Sequence, residues 1–354
     1  MLNPALPALW RDSATVQLGL DEDRALVIHR ADATTRALLR RLDGRHSEAE
    51  ILAGAAADGH DVAAVTTLLR QLQAAGAVVD GDPAALADLG GPGEADRLAP
   101  DLGSLSLLAW HGGPSAAERV RRRRAAQVVV HGATRIGVPL AAALAAAGVG
   151  RVAVVEEGRA RLADANTGGL RPADEGRAGP LAAAQATRRV APGVDTEIRV
   201  GDRPELAVLC QPWPTERLRA ALQAAGTPHL CATVRETTAV LGPLVIPGRT
   251  GCLRCADLHR SDRDRCWPAL LAQLSERTRT ARDPLDGSLG LLVAAAAALQ
   301  VTAFLDSAGQ IPEPVHDASI ELRLPEWRPR RRSWPAHPRC PCGTFRARAG
   351  MMAG

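Results

Sequence analysis

Residues 127–156 read QVVVHGATRIGVPLAAALAAAGVGRVAVVE, and this stretch decides the fold of the chain. It begins with an apolar segment, Gln127–His131, which leads into a turn that contains two glycines. An Ala- and Leu-rich helical segment follows and ends at Gly148, before a second apolar segment, Arg151–Val155. A strand, a tight turn and a helix that leads to another short strand make up a parallel βαβ unit. The stretch therefore predicts an α/β domain.

The same alternation continues towards the C-terminus. Strand-like segments at Leu206–Cys210, His229–Val234 and Ser319–Leu324 alternate with helical patterns such as Pro180–Val190 and Thr215–Ala225. Short connections between alternating strands and helices are typical of a doubly wound, Rossmann-like sheet with helices on both faces. We therefore predict one large α/β domain over residues 105–354.

The first eighty residues follow a different pattern. Thr15–Leu20 and Ala25–His29 flank a polar turn and predict a β-hairpin. Three helical patterns follow, at Ala33–Leu42, Glu48–Ala57 and Asp61–Ala75. A hairpin with three short helices predicts a small winged-helix-like domain over residues 1–80. Residues 81–104 are rich in Gly, Pro, Asp and Ala without a sustained period, which predicts a linker.

Composition and charge exclude several functions. The chain has 354 residues and a formal net charge of +4, which is too balanced to indicate nucleic-acid binding. All 43 basic residues are arginines, so no step can use a lysine as a Schiff base or phosphate clamp. The run Arg121–Arg124 is typical of a solvated helix face.

No signal peptide is recognisable, and the longest apolar run, Leu289–Leu299, is too short to span a bilayer, which predicts a cytoplasmic protein without membrane contact.

The glycine turn is a candidate nucleotide site. Gly132 and Gly137 occupy the outer positions of a G-x-G-x-x-G pattern, but Thr134 replaces the central glycine. A helix N-terminus favours phosphate, whereas the Cβ of Thr134 obstructs the close approach that the central glycine permits. Its hydroxyl is nevertheless able to bond a phosphate oxygen. The next strand ends at Glu156 and Glu157, and either acid is placed to accept from a ribose hydroxyl. A nucleotide site and a turn that has lost its ligand both remain open.

Two cysteine pairs form a candidate metal site. Cys252 and Cys255 form a C-x-x-C pair after a glycine-rich loop, and Cys340 and Cys342 form a tighter pair near the C-terminus. Four thiolates are the tetrahedral set that structural Zn²⁺ prefers. A redox dithiol is disfavoured because the C-x-x-C pair follows a loop and does not open a βαβ helix. His337 is an alternative ligand to one cysteine of the tighter pair.

Taken together, these segments resemble the ThiF, MoeB and HesA superfamily of ubiquitin-activating-type proteins over roughly residues 105–345. The resemblance is carried by VVVHGATRIG, VAVVEEG, NTGGLRPADEGR, LGPLVIPGRTGCLRC and HPRCPCG. It implies a ThiF-type sheet that uses Mg-ATP to adenylate the C-terminal carboxylate of a peptide or small protein, and a homodimer. It also implies a nucleotide site at Gly132, Gly137, Glu156 and Asn166, with Arg171 and Arg177 as candidate phosphate contacts.

Two positions depart from the pattern of that superfamily. The family's lysine should follow Gly176, where Arg177 is the only cation. Its magnesium-binding aspartate should follow the strand that ends at Cys210, where the chain has Gln211. A neutral amide does not supply the charge that holds Mg²⁺ against a triphosphate. The departures predict weak or absent adenylation.

The N-terminal pattern resembles the PqqD-like elements that bind leader peptides in ribosomal peptide maturation. Combined with a degenerate ThiF-like domain, it resembles the leader-peptide-binding proteins of azole and azoline biosynthesis. This resemblance implies a precursor leader peptide, bound as an added strand on the hairpin sheet, and a cyclodehydratase-type partner enzyme.

Two other functions remain as alternatives. The first is an active ATP-dependent adenylyltransferase in which Arg171 or Arg177 replaces the lysine. The second is a winged-helix DNA-binding regulator. The third helical pattern of the small domain carries only Arg70 as a cation, which disfavours contact with nucleic-acid phosphates.

Overall fold

The computed structural model describes residues 1–23, 25–79, 92–108, 113–280, 285–310 and 312–345. The chain divides into two compact units, Met1–Arg121 and Arg122–Gly354. Each unit has its own hydrophobic core. We describe the two units separately.

In the described part of the N-terminal unit, three strands form an antiparallel sheet and three helices follow it. The strands are β1 (Ala8–Trp10), β2 (Thr15–Leu18) and β3 (Leu26–His29), in that spatial order. The helices are α1 (Ala33–Arg41), α2 (Glu48–Ala57) and α3 (Val62–Ala74). The pairing of β2 with β3 confirms the predicted hairpin. The three residues of β1 are apolar but exposed and show no alternation, so the sequence pattern does not predict this strand.

Side-chain caps and one apolar cluster explain why these elements form. Ser47 and Glu50 form a reciprocal capping box at the start of α2, in which each side chain accepts from the other's backbone N–H. Asp32 and Asp61 cap the starts of α1 and α3 in the same unit. The apolar faces of the elements meet in a buried core that includes Val16, Leu18, Leu38, Ile51, Val65 and Leu69.

The segment predicted as a linker differs from the structure. Residues 81–91 lie outside the described residues, but α4 (Pro92–Leu108) is a helix that covers the rest of the segment. Leu98 and Leu105 lie seven residues apart and bury against Val120. Gly and Pro residues within α4, such as Pro100, hide this helical period in the sequence. The helix belongs to the N-terminal unit and is not an extended connection.

The C-terminal unit is built on a mixed sheet, which in the described residues has seven strands in the order β10-β9-β8-β7-β6-β4-β5. The strands are β4 (Gln127–His131), β5 (Arg151–Val155), β6 (Leu206–Leu209), β7 (His229–Arg235), β8 (Thr238–Val245), β9 (Ala318–Arg323) and β10 (Arg328–Ser333). The first four are parallel to one another, whereas β8, β9 and β10 add an antiparallel edge. The predicted α/β class with a doubly wound sheet is confirmed.

Helices cover both faces of this sheet. The described helices from residue 116 onward are α5 (Ala116–Ala125, which crosses the unit boundary), α6 (Gly137–Ala146), α7 (Gly179–Arg188), α8 (Glu216–Ala224), α9 (Leu253–Arg263), α10 (Trp267–Thr280) and α11 (Gly287–Asp306). Side chains alternate between the two faces of a strand. In β6, Leu206 and Val208 accordingly pack with α6, α7 and α11, whereas Ala207 and Leu209 pack with α8 and α9.

One buried ion pair ties α5 to the end of α11. The Arg123 guanidinium donates to both carboxylate oxygens of Asp306 at 2.7 and 2.6 Å, and both side chains are almost completely buried. Arg122 donates to the Asp306 carbonyl at 2.7 Å. The prediction of a solvated face over Arg121–Arg124 is therefore wrong for Arg123, because the run lies against a carboxylate that is 183 residues away in sequence.

Among the described residues, α11 is the single helix whose length and composition would allow it to cross a membrane. Its residues Val293, Ala297 and Val301 are buried in the core of the C-terminal unit. Burial against the sheet accounts for the apolar character of this helix.

Candidate functional site

The glycine turn between β4 and α6 is closely packed against itself. A Cβ on Gly137 would lie 1.9 Å from the carbonyl oxygen of Gly132, so no other residue fits at that position. Gly132 has a φ of +115°, a conformation that L side chains rarely adopt. The two outer glycines are thus required by the geometry of the turn itself, whether or not a ligand binds there.

Thr134 fills the centre of this turn with its own hydroxyl. Its Oγ1 accepts from the backbone N–H of Ile136 at 3.2 Å and of Gly137 at 3.1 Å. These amides lie at the start of α6, where the free N–H groups of a helix would otherwise meet an anion. The threonine therefore caps the helix and occupies donors that a phosphate would need.

Glu156 occupies a third donor of the turn. Its Oε2 accepts from the backbone N–H of Ala133 at 3.1 Å, and its Oε1 accepts from the N–H of Glu157 at 3.2 Å. The carboxylate thus lies beside the glycine turn, at the position that the sequence predicts for a ribose-binding acid. Its oxygens bond to the chain's own backbone.

Asn166 connects the turn to the start of α11. Its Nδ2 donates to the carbonyl oxygens of Arg135 at 3.2 Å and Gly287 at 3.1 Å, and its Oδ1 accepts from the Thr167 N–H at 2.9 Å. Each polar atom of the amide therefore has a partner in the protein. The geometry gives this residue a positioning role at the rim of the turn.

The two candidate arginines differ in their surroundings. Arg177 pairs at 2.8 Å with the buried carboxylate of Asp174, which also accepts from the Arg171 backbone N–H at 2.9 Å. The Arg171 side chain itself is exposed. Arg189, 4.0 Å from Asp174, completes the group, and its pKa is lowered by burial and by the charge of Arg171. Arg177 and Arg189 therefore place two positive charges beside the single carboxylate of Asp174.

Gln211 lies directly beside the glycine turn. A Cβ built on Gly132 would be 3.6 Å from the Gln211 Cγ and 3.6 Å from the Cβ of Cys210. The residue at this position faces the turn because β4 and β6 are parallel neighbours whose carboxyl ends meet at one edge. Cys210, which precedes Gln211, is buried, and burial raises the pKa of its thiol.

The residues around the turn do not fit a bound Mg-triphosphate. The backbone donors are bonded within the protein, the residue facing the turn from β6 is a neutral amide, and the sequence holds no lysine. Besides waters and the phosphates, one or two carboxylates usually hold magnesium at such a site, and the carboxylate beside the turn, Glu156, is bonded to the backbone.

The four predicted metal ligands, in contrast, form one compact cluster. The sulfur of Cys252 lies 3.7 Å from that of Cys255 and 3.6 Å from that of Cys340, and the Cys255 and Cys342 sulfurs are 3.7 Å apart. Sulfurs held about 2.3 Å from a tetrahedral zinc ion lie about 3.8 Å from one another. The cluster is therefore compatible with structural zinc.

His337 has partners outside the cysteine cluster. Its Nε2 lies 2.8 Å from the carboxylate of Asp262, and its Nδ1 accepts from the Arg339 N–H at 3.2 Å. Its ring packs edge-on against His259, with the ring centroids 4.8 Å apart. Both ring nitrogens are thus engaged in fixing the C-terminal segment, and the four cysteines form a complete donor set without it.

The C-terminal segment approaches the first cysteine pair closely. A Cβ on Gly251 would lie 2.5 Å from the carbonyl oxygen of Trp334, so only glycine allows this contact. Cys252, Cys255 and Cys340 are buried and pack with Leu209. The cluster consequently joins two chain segments that are about ninety residues apart under one face of the sheet.

Sequence reasoning missed one group of residues in this unit. Trp213, Arg235, Arg260 and Trp267 come from separate elements and line a common cavity beside the sheet edge. Each looks unremarkable in its own segment, and no spacing links them. The tertiary fold alone brings them together.

No protein-family model matches this chain, and no curated protein matches it in sequence. Solved structures do match it. The chain is similar to Escherichia coli MccB in complex with ATP, with 15% identity, a TM-score of 0.67 and coverage of 97% of this chain and 98% of that one. A structure titled as the microcin C7 biosynthetic enzyme MccB with N-formylated MccA matches over the same shares, also with a TM-score of 0.67 and 15% identity.

A structure of PaaA is similar as well, with a TM-score of 0.69, 15% identity and coverage of 94% of this chain and 99% of that one. At this level of identity the similarity shows the fold and not the function. Because the match extends along nearly the whole chain, it includes the small N-terminal unit in addition to the sheet domain. The chain thus has the predicted ThiF-like fold, which it shares with MccB and PaaA.

Proposed function

We propose that this protein binds the leader segment of a precursor peptide in ribosomal peptide maturation and presents the peptide to a cyclodehydratase-type partner enzyme, with an adenylation site that no longer works. The observation that carries the proposal is the glycine turn, in which protein groups occupy the N–H groups of Ala133, Ile136 and Gly137. The occupied amides support a structural role for this turn over the binding of a phosphate.

The similarity to MccB supports a peptide as the partner. One of the matched structures contains MccB with N-formylated MccA. The proposed role keeps the peptide-binding part of such a protein and assigns the chemistry to another enzyme. We also infer that the chain forms a homodimer through its ThiF-like unit, and that zinc holds the four-cysteine cluster together.

The N-terminal sheet offers a free edge for a peptide strand. The Arg11 N–H donates to the Thr15 carbonyl, so the backbone of Thr15 faces β1. Successive residues of a strand direct their backbone N–H and C=O groups towards opposite neighbouring strands in turn. The backbone of Val16 therefore faces β3, where Val16 pairs with Ile28. Val27 therefore directs its N–H and C=O away from β2. Since β3 ends the spatial order of the described strands, these groups are available to an added strand.

Replacing Val27 with proline is expected to weaken peptide binding at least about tenfold, because it removes an edge donor and hinders close approach of another strand. The ladder to β2 should survive, since the Val27 N–H points away from it. Binding is measured by fluorescence anisotropy with labelled synthetic peptides that correspond to the small reading frames flanking the gene.

The matched control is Val27→Thr, which keeps the backbone N–H and the β-branched shape. It should bind like the wild type. Equal affinity of the proline variant and the wild type would place the peptide elsewhere on the protein. Circular dichroism of the proline variant checks that the small unit remains folded.

A second prediction concerns the nucleotide. The wild-type protein should give no ATP–pyrophosphate exchange above background with any of these peptides, because Gln211 supplies no charge for Mg²⁺ and the turn amides are occupied. A ThiF-like adenylyltransferase assayed in parallel serves as the positive control. Robust exchange would favour the alternative of an active adenylyltransferase, with Arg171 or Arg177 in the role of the missing lysine.

A further inference from the structure

A cavity of about 300 Å³ lies beside the sheet of the C-terminal unit. It is lined by Trp213, Arg235, Arg260, Arg263, Trp267 and Arg332. A neighbouring pocket of about 480 Å³ shares Arg263 and Arg332 with it and adds two further arginines. Both pockets are strongly cationic, and the first also has aromatic walls. We call this first pocket the arginine–tryptophan cavity.

The cavity lies at the same edge of the sheet as the glycine turn. In β6 and β7, which are parallel, Leu209 pairs with Cys231, so the carboxyl ends of both strands meet at this edge. Gln211 and Trp213 follow β6, and Arg235 is the last residue of β7. Ligands of open α/β sheets bind outside the carboxyl ends of the strands. The cavity thus occupies a place where this fold accommodates ligands.

Arg235 lacks a partner that its surroundings require. Its Nε is buried without a hydrogen-bond partner, and its guanidinium lies 4.2 Å from the ring centroid of Trp213. Burial and the charge of Arg260 lower the pKa of Arg235 to about 10. An unsatisfied buried donor is costly, and the guanidinium that carries it belongs to a residue that lines the cavity, where an anion would balance its charge.

The acids near the cavity do not neutralise it. Asp257 pairs with Arg260 at 3.0 Å and with Arg219 at 2.5 Å, which leaves that carboxylate surrounded by cations. Asp264, which also borders the cavity, accepts from the Cys266 N–H at 2.9 Å. Neither Arg235 nor Arg263 has a carboxylate within ion-pair distance among the residues that the structure describes. The cavity therefore carries an excess of positive charge.

Glu321 is a further acid near this surface. Its carboxylate lies 3.5 Å from the guanidinium of Arg332, a distance at which the two charges interact without a close hydrogen bond. This pair balances one arginine of the cavity. Glu321 also acts on Arg235, but burial and the charge of Arg260 outweigh it and keep the pKa of Arg235 below its usual value.

The aromatic walls narrow the class of ligand. The rings of Trp213 and Trp267 are 5.7 Å apart at an angle of 59°, and the Trp267 Nε1 donates to Asp257 at 3.3 Å. The half-buried indole rings offer apolar contact to an aliphatic stem beside the guanidinium groups of Arg235 and Arg260 that lie over them. Guanidinium groups bind carboxylates in a planar, two-pronged manner. A side chain with a short stem and a terminal carboxylate has both properties.

We propose that the arginine–tryptophan cavity binds carboxylate groups of an acidic peptide segment and is a second contact site for the precursor peptide. The inference rests on the proposed function, since that function supplies the peptide. It adds a chemical preference: the segment that reaches the sheet domain carries Asp or Glu. Free inorganic phosphate could use the same guanidinium groups, and the test separates the two sources.

The test uses the full chain and its own tryptophan fluorescence. N-acetyl-tetraglutamate amide is titrated at low salt, with N-acetyl-tetraglutamine amide and inorganic phosphate in parallel. We expect saturable quenching by tetraglutamate that weakens as salt is added, and no response to tetraglutamine. No response to tetraglutamate, or tighter binding of phosphate than of tetraglutamate, would overturn the proposal.

Two variants locate the site. Arg263→Gln should weaken tetraglutamate binding about tenfold, as expected when one charged hydrogen-bonding partner is removed. The matched control is Arg188→Gln, an exposed arginine on α7, which packs on the opposite face of the sheet. Arg235→Gln provides a second test inside the cavity. If Arg263→Gln and Arg235→Gln both bind tetraglutamate as tightly as the wild type and the control, the assignment is disproved.

The Val27→Pro variant separates this inference from the proposed function. It should bind tetraglutamate like the wild type, because the probe has no leader segment. If Val27→Pro loses the full peptides while Arg263→Gln keeps tetraglutamate affinity, the cavity proposal fails and leader binding stands. If Arg263→Gln alone loses affinity for its probe, the cavity stands without support for leader binding.

Discussion

Replacing Cys252 with serine is expected to abolish zinc binding and to destabilise the C-terminal unit by several kcal/mol, with a fall in Tm of about 10 °C or more. The four sulfurs lie at mutual distances that suit one tetrahedral ion. Structural zinc contributes roughly 10–16 kcal/mol of apparent binding free energy in small peptides, which is comparable to the roughly 5–15 kcal/mol that stabilises a whole domain.

The position of the cluster explains why the effect should be large. Cys340 and Cys342 belong to the C-terminal segment, and Cys252 and Cys255 lie at the start of α9. Without the ion, four thiolates would repel one another, and in the protonated state the two segments would lose their cross-link. The segment that carries Trp334, which is buried against the sheet, would then detach.

The measurements are zinc content by mass spectrometry and thermal unfolding with and without a chelator. Wild-type protein should contain one zinc per chain, and Cys252→Ser should contain none. Cys266→Ser is the matched control, because Cys266 is an exposed cysteine outside the cluster. A wild-type protein that contains no metal after purification without chelators would contradict the proposed zinc site.

The second large effect is expected at the ion pair between α5 and α11. Arg123→Ala should destabilise the C-terminal unit by roughly 3–5 kcal/mol, because it leaves the carboxylate of Asp306 buried without its counter-charge. The readout is the free energy of unfolding from urea denaturation. Arg121→Ala is the control, since Arg121 forms an exposed pair with Glu118 and should have little measurable effect.

A double variant distinguishes the charge from the packing. Arg123→Met with Asp306→Leu replaces both charged groups with apolar ones of similar size and should recover most of the lost stability, as observed for other buried ion pairs. A single Arg123→Ala variant with wild-type stability would mean that the carboxylate of Asp306 is protonated or reaches water.

The fold was largely predictable because its signal is local. The βαβ stretch from Gln127 to Val155 has the apolar period of each element and a turn in which the geometry demands Gly137. The sequence pattern does not predict the strands β1, β8 and β10. The arginine-rich β10 is almost entirely exposed, so it has no apolar face that would indicate a strand. β8 is an apolar run without alternation, and periodicity alone does not distinguish such a run from a buried helical segment.

The candidate sites were predictable only in part. The four cysteines could be grouped from their spacing, because paired thiols in one chain have few other uses. The role of Thr134 could not be predicted, since a hydroxyl in a glycine turn is able either to bond a phosphate or to cap the helix. The structure places Oγ1 on two backbone amides of α6.

The sequence by itself determined the class of the sheet, the glycine turn, the cysteine pairs and the lack of lysine, because each of these is written in neighbouring residues or in composition. Tertiary structure alone decided which charges meet. Arg123 finds Asp306 across 183 residues, and Arg235 lies over Trp213 beside three other arginines. Electrostatic interactions depend on distance in space and on burial, and neither quantity can be read from the order of residues along the chain.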